Sequence, residues 1–254
     1  SESDVSNEKE NKKWAFTAGI DSYPKVTIID PSIQTSLPKE QTVYGAVDTL
    51  SHVFELYFDG TENTNLVDEF AEGIIRTVMK NTKILLNDPS NYDARAELCW
   101  SATNALNGVI GSGRNYGDWA THTLEHSISA FYDVAHGAGL AVMFPAWMKY
   151  VYKDNPSKFA QLAENVFGIK EGTELEKAEM GIEKVSQFFK EIGAPTTLND
   201  FGITAEIYHS SVKASQKAKI WNHIMLNQSI LIIGTRSSLF LPFKNLGIIV
   251  VDEE

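Results

Sequence analysis

At 254 residues, 43% of them hydrophobic and 22% charged, the chain can bury a sizeable core as one large domain or two small ones. Its composition is that of an ordinary globular protein. A net charge of −11 argues against general binding of nucleic acid or anionic membrane by the bulk of the surface. A single cysteine, Cys99, excludes an intrachain disulfide framework and fits a reducing compartment. With no signal peptide and no apolar run of spanning length, the expected location is cytoplasmic.

In chain order, residues 1–13 are polar and charged and read as loop, and the β-branched run 26–30, ended by Pro31, reads as a strand. A helix starts near Thr42, with Val43, Val47, Leu50, Phe54 and Tyr57 at i, i+4, i+7, i+11 and i+14. Asp48, His52 and Glu55 form a separate polar stripe beside that face. Residues 66–86 continue as helix up to a turn cluster at 87–91. Residues 92–109 read as a helix with a small-residue face of Ala94, Leu98, Ala102, Ala105 and Val109. The glycine-rich segment 111–117 matches neither the P-loop nor the dinucleotide fingerprint and reads as a plain helix connection. Residues 119–132 form the next helix. After His136-Gly-Ala-Gly comes a helix over 140–152, apolar nearly all round and expected to be deeply buried, with Pro145 predicting a kink or a break. Amphipathic helices follow at 156–167 and 174–192, the second stopped by Gly193 and Pro195. After about residue 203 the pattern turns α/β. Residues 229–233 and 247–251 are continuous apolar runs of buried-strand type, which makes this a candidate junction. The chain opens on Ser1 without Met and stops just after an apolar run, so both ends read as cuts through something larger.

The chemistry concentrates in one stretch. His122-Thr-Leu-Glu-His126 and His136 place three of the six histidines within fifteen residues. His122 and His126 are four apart and share a helix face; about seventy residues upstream, Asp48 and His52 repeat that spacing. One carboxylate with three imidazoles, drawn from two helices and a loop, makes a closed N/O site suited to Zn or Fe(II) rather than Ca or Mg. Spacing alone does not choose three ligands among His52, His122, His126 and His136, nor does it separate a metal hydrolase from a metal-assisted oxidoreductase. Cys99 lies in a helical context and reads as a buried, inert thiol.

Three motifs together resemble the iron-containing alcohol dehydrogenases, and within them the butanol dehydrogenase and NADPH-dependent aldehyde reductase branch. They are Tyr44-Gly-Ala-Val-Asp48-Thr-Leu-Ser-His52, Trp119-Ala-Thr-His122-Thr-Leu-Glu-His126 and Phe131-Tyr-Asp-Val-Ala-His136-Gly-Ala-Gly-Leu-Ala. Tyr23-Pro-Lys-Val-Thr-Ile-Ile-Asp-Pro and Phe144-Pro-Ala-Trp-Met match as well, so the resemblance spans roughly residues 1–203. It implies a mainly α chain: the helical metal-binding domain of the dehydroquinate synthase-like, iron alcohol dehydrogenase fold, with short α/β remnants at both ends. The implied boundaries are 1–38 for the end of a nucleotide-binding α/β domain, 39–203 for the metal- and substrate-binding domain and 204–254 for a fused fragment.

The resemblance also implies Asp48, His52, His122 and His136 as ligands of Fe(II) or Zn(II), His126 as a proton-relay residue near the substrate, and Lys13 near an NADP(H) or NAD(H) cofactor. The implied reaction is reversible hydride transfer between that nicotinamide and a primary alcohol or aldehyde such as butanal, with a homodimer in the intact family member and no nucleic-acid or membrane partner for the main domain. The family's Gly-Gly-Gly-Ser phosphate-binding turn is absent from these 254 residues. The tail, with Ile233-Gly-Thr-Arg-Ser-Ser-Leu-Phe-Leu-Pro-Phe and Val251-Asp-Glu-Glu254, resembles a fragment of the primosomal replication-restart helicase; its acidic run would be the ATP-hydrolysis motif, without any P-loop to accompany it.

Overall fold

A computed structural model of the chain describes residues 2–7, 9, 12–17, 19, 21, 23–209, 211–226, 230–234, 238 and 241–244. They form an antiparallel pair β1 (Glu2–Asn7) and β2 (Lys12–Thr17), then seven helices. These are α1 (Lys39–Tyr57), α2 (Asn65–Asn87), α3 (Tyr92–Leu106), α4 (Ala120–Tyr132), α5 (His136–Val151), α6 (Pro156–Phe167) and α7 (Glu174–Glu191). A parallel pair, β3 (Thr204–Tyr208) and β4 (Ile230–Gly234), follows with α8 (Ala214–Met225) as its crossover. The chain divides into two compact units, Ser1–Thr196 and Thr197–Glu254.

The first unit is organised on α1. Its apolar spacing delivers Val43, Val47, Leu50, Phe54 and Tyr57 to the core, and Ala46, Val53 and Leu56 widen the buried face until α1 packs on α2, α3 and α5 at once. Each such aliphatic side chain removed from water contributes roughly 1.5–3 kcal/mol. The outer helices are set by local chemistry. Asn91 and Asn155 cap α3 and α6 by accepting from Ala94 and Lys158 main-chain N–H groups. Thr173 and Glu176 form a reciprocal capping box on α7. Gly193, at φ +83°, ends α7: its N–H donates to Lys190 and that of Ala194 to Phe189. Cys99 is buried, and that burial pushes its thiol up from the ordinary value against the opposing pull of Arg95, as an inert thiol requires.

Several expectations change. Within 1–13, residues 2–7 and 12–13 are not loop but β1 and the first two residues of β2: charge marks a segment as solvated without deciding its backbone, and a neighbouring strand satisfies the ladder. The run 26–30 forms no strand; Val26 and Ile28 are 77% and 89% exposed, and among the described residues no strand pairs with them. It ends at Asp30, which caps a short 3₁₀ turn, Pro31–Ser36, by accepting from Ser32. Helix α3 stops at Leu106, leaving Ala102 and Val109 exposed, and buries Arg95 and Ser101 in their place. Helix α5 starts at His136 itself and runs through Pro145 without a break, because Phe144 and Met148 anchor both sides of the proline in the core. It is not buried all round: Tyr150 is exposed. Strand β4 is half-buried rather than buried, since α8 covers one face of a two-stranded sheet. Residues 247–251 lie outside the described set.

Helix α5 approaches α1 so closely that a methyl group on Gly137 would run into the main chain of Tyr44, whereas one on Gly73 of α2 would meet nothing within 4 Å. Gly137→Ala should therefore lower stability by about 1–3 kcal/mol through overpacking. Gly73→Ala should raise it by about 0.4–1 kcal/mol by restricting the unfolded chain. Urea midpoints of the two variants against the parent protein measure both.

Candidate metal centre

Three helices converge on one point. Asp48 and His52 are one turn apart on α1, His122 sits in the first turn of α4, and His136 is the first residue of α5. The ligand-capable atoms of Asp48, His122 and His136 lie within 4.8 Å of one another. Asp48 Oδ1 is 3.8 Å from His122 Nε2, 3.5 Å from His136 Nε2 and 3.5 Å from His52 Nδ1. The His52 ring stands edge-on to His122, with centroids 4.6 Å apart, and its Nδ1 lies 2.9 Å from the main-chain oxygen of Asp48. Thus Asp48, His122 and His136 share one centre and His52 adjoins it.

The other expected residues stand nearby. His126, half-buried one turn beyond His122, has its ring 5.1 Å from that of His136. A second grouping of Glu125, His126 and His136 also has its ligand-capable atoms within 4.8 Å; His136 faces Glu125 through Nδ1 and Asp48 through Nε2. Lys13 is half-buried on β2, and β2 packs against α4.

The scaffold around the centre is polar and buried. The segment before α4 is anchored by Arg114, whose Nε donates to Ile110 carbonyl oxygen at 2.8 Å and whose Nη2 donates to Asp68. Lys158 and Gln161 of α6 also donate to Asp68, and Tyr57 donates to Glu72 at 2.8 Å. The Asp118 main-chain N–H then donates to the Glu55 carbonyl of α1, so the entry to α4 is pinned beside the Asp48 cluster. Trp119 turns the chain into α4 at φ +59°, a left-handed value that is uncommon for a non-glycine residue. Its ring stands edge-on to both His52 and His122, at 5.8 and 5.3 Å.

Glu125 and Trp119 adjoin the cluster though spacing does not single them out, and Glu55, on the polar stripe with Asp48 and His52, is fully buried. The available signal was position: Glu55 falls three residues after His52, and Glu125 three after His122.

The residues fit a cation. Asp48 Oδ1 and His122 Nε2 are both buried without a hydrogen-bond partner, which is costly unless a further group satisfies them. The chemistry of the set, carboxylate plus imidazole nitrogens, is that of a divalent transition-metal site. The electrostatics agree. Burial pushes the Asp48 carboxyl up, but His122, His52 and His136 outweigh it and hold it below the ordinary carboxylate value. Burial pushes the His122 imidazole down, but Asp48 and Glu55 outweigh it and bring it up to about 9. Burial holds His52 below the ordinary histidine value despite Asp48.

A family model described as the Fe-containing alcohol dehydrogenase family, C-terminal, matches residues 42–228 and so runs past the junction expected near residue 203. The chain is 41% identical over 204 residues to probable NADH-dependent butanol dehydrogenase 1 of Bacillus subtilis, covering 80% of this chain and 52% of that protein. It is 36% identical over 199 residues to the NADPH-dependent aldehyde reductase YqhD of Escherichia coli, covering 78% and 51%. Among solved structures, NADH-dependent butanol dehydrogenase A of Thermotoga maritima superposes with a TM-score of 0.75 at 49% identity, over 89% of this chain and 54% of that one. The chain therefore spans about half the length of the curated relatives it matches.

A pH dependence follows from His122. Without metal its imidazole is protonated at neutral pH, so a metal ion must displace that proton to reach Nε2. Zn(II) affinity should fall by about tenfold per pH unit below pH 9 on this account alone. The metal-free fold behaves oppositely. A histidine pKa raised from 6.5 to about 9 stabilises the folded chain below 6.5, and that contribution is lost as pH rises through 9. Competitive metal titration at several pH values, beside thermal unfolding of the metal-free protein, checks both signs; an affinity flat from pH 7 to about 9 would contradict the assignment.

Proposed function

The chain belongs to the Fe-containing alcohol dehydrogenase family, and from that premise we propose that it forms the metal- and substrate-binding portion of a nicotinamide-dependent alcohol dehydrogenase or aldehyde reductase acting on primary alcohols and aldehydes such as butanal. The observation that carries the proposal is the pair of buried, unpartnered ligand atoms, Asp48 Oδ1 and His122 Nε2, in a cluster completed by His136 Nε2. Asp48, His52, His122 and His136 would hold Fe(II) or Zn(II). Such a cation supplies Lewis-acid polarisation of an alcohol or aldehyde oxygen, and NADH or NADPH supplies or accepts the hydride.

The chain's own residues do the rest. Trp119 stands edge-on to His52 and His122 and flanks the two rings on one side. His126, its ring 5.1 Å from that of His136 and outside the Asp48 cluster, would hold or deliver a proton at a ring nitrogen. Lys13, on the strand packed against α4, is the residue proposed to meet the cofactor. Support for the substrate class comes from the relatives, whose names are those of butanol dehydrogenases and an aldehyde reductase. Among the described residues no helix is long and apolar enough to cross a membrane.

Metal-loaded protein supplied with the family's nucleotide-binding half, assayed with NADH or NADPH and butanal, should oxidise the nicotinamide. His122→Ala should abolish this, and His126→Ala should slow it by about 10²–10⁴, the range for loss of a general acid–base group. Ester hydrolysis without nicotinamide, abolished by the same His122→Ala change, would replace the dehydrogenase reading with a hydrolase. Aldehyde reduction that survives His122→Ala would overturn the site.

A further inference from the structure

Two carboxylates stand behind the cluster in matching roles. Glu55 on α1 and Glu125 on α4 are both completely buried. Glu55 Oε1 lies 2.8 Å from His122 Nδ1, and Glu125 Oε2 is hydrogen-bonded to His136 Nδ1. We propose that Glu55 and Glu125 are a pair of positioning residues, each holding one ligand histidine as the Nδ1–H tautomer so that the lone pair of Nε2 points at the shared centre. The inference rests on the metal-centre reading and extends it to two residues that touch neither the centre nor a substrate.

The geometry supports an orienting role over an incidental one. An imidazole with Nδ1 bonded to a fixed carboxylate has one ring orientation and one free acceptor, Nε2; in both histidines that atom is the one directed toward Asp48, at 3.8 and 3.5 Å. The carboxylates are themselves held. Glu55 Oε1 also accepts from the Thr121 hydroxyl and from the His122 main-chain N–H at 3.2 Å, so the same oxygen grips the first turn of α4 and the His122 ring. Glu125 lies against the bare backbone of Gly139, where a methyl group would strike its carboxylate. His52, the third imidazole, needs no such partner because its Nδ1 meets the Asp48 carbonyl one turn back on its own helix.

Charge points the same way. Burying a carboxylate without compensation costs several kcal/mol, and here two are buried beside a third, Asp48. Neither partner histidine can compensate them while also serving as a neutral ligand. A divalent cation at the centre can, through the imidazole rings that link each carboxylate to it. On this reading the pair fixes the direction of Nε2 in His122 and His136 and thereby raises the affinity of the site.

The test is Co(II) and Zn(II) affinity by competitive titration, with the visible Co(II) spectrum as a second readout. Glu55→Gln and Glu125→Gln preserve shape and should each weaken binding by about 10–100-fold and alter the Co(II) spectrum, with the metal-free circular dichroism unchanged. Gly139→Ala should weaken binding through Glu125 without altering any hydrogen-bonding group. Glu179→Gln, an exposed carboxylate on α7 that accepts from the Tyr152 hydroxyl and touches no histidine, should leave affinity unchanged. Parent protein that takes up no metal would overturn both the metal reading and this inference. Tight binding in the parent, lost in His122→Ala but retained in both Gln variants or in Gly139→Ala, would overturn the inference alone.

Discussion

Helix α5 reaches the centre only because Gly137 presents bare backbone to Tyr44 of α1. Any side chain there would force the two helices apart, and with them His136 from Asp48. A displacement of one or two ångströms matters at this point, since the cluster closes over 3.5 to 3.8 Å. Two residues later Gly139 makes the same kind of room for the Glu125 carboxylate. The motif His136-Gly-Ala-Gly therefore joins one imidazole of the cluster to the two contacts that place it and Glu125.

Around that contact the fold is rigid where the chemistry needs it. Helix α1 is buried on most of its surface and carries Asp48, His52 and Glu55 on the part that is not hydrocarbon core. A second polar network, Arg114 with Asp68 and Lys158, and Glu72 with Tyr57 and Gln161, ties α1, α2 and α6 to the segment entering α4. Buried ion pairs contribute little net stability against well-packed apolar groups, but losing one partner is expensive, so such a network specifies geometry. Here the geometry is the start of α4, and His122 lies on its first turn.

Much of this was legible in the chain. The i, i+4 pairs Asp48–His52 and His122–His126 and the apolar spacing of α1 are local properties, and local periodicity survives folding when burial reinforces it. The family resemblance rested on those same residues, and the match to residues 42–228 agrees with it. What escaped was set by neighbours. The strand pairing of residues 2–7 depends on Lys12–Thr17 beside them, and the β-branched run at 26–30 stays unpaired for want of a strand to join. Glu55 stands on the same polar stripe as Asp48 and His52, but the sequence does not show α4 closing over it and burying it completely. Pro145 looked like a break because the loss of one helical hydrogen bond is visible in sequence, whereas the core contacts of Phe144 and Met148 that hold the helix together are not.

The central claim is that Asp48, His122 and His136, with His52 adjoining, hold one divalent transition-metal ion. The most direct measurement is elemental analysis of the purified protein beside an Asp48→Ala/His136→Ala double variant, with both confirmed as folded. About one equivalent of iron or zinc in the parent and none in the variant is the predicted result for a single closed site. A well-folded parent that holds no metal after equilibration with Fe(II) or Zn(II), or a double variant that retains a full equivalent, would contradict it.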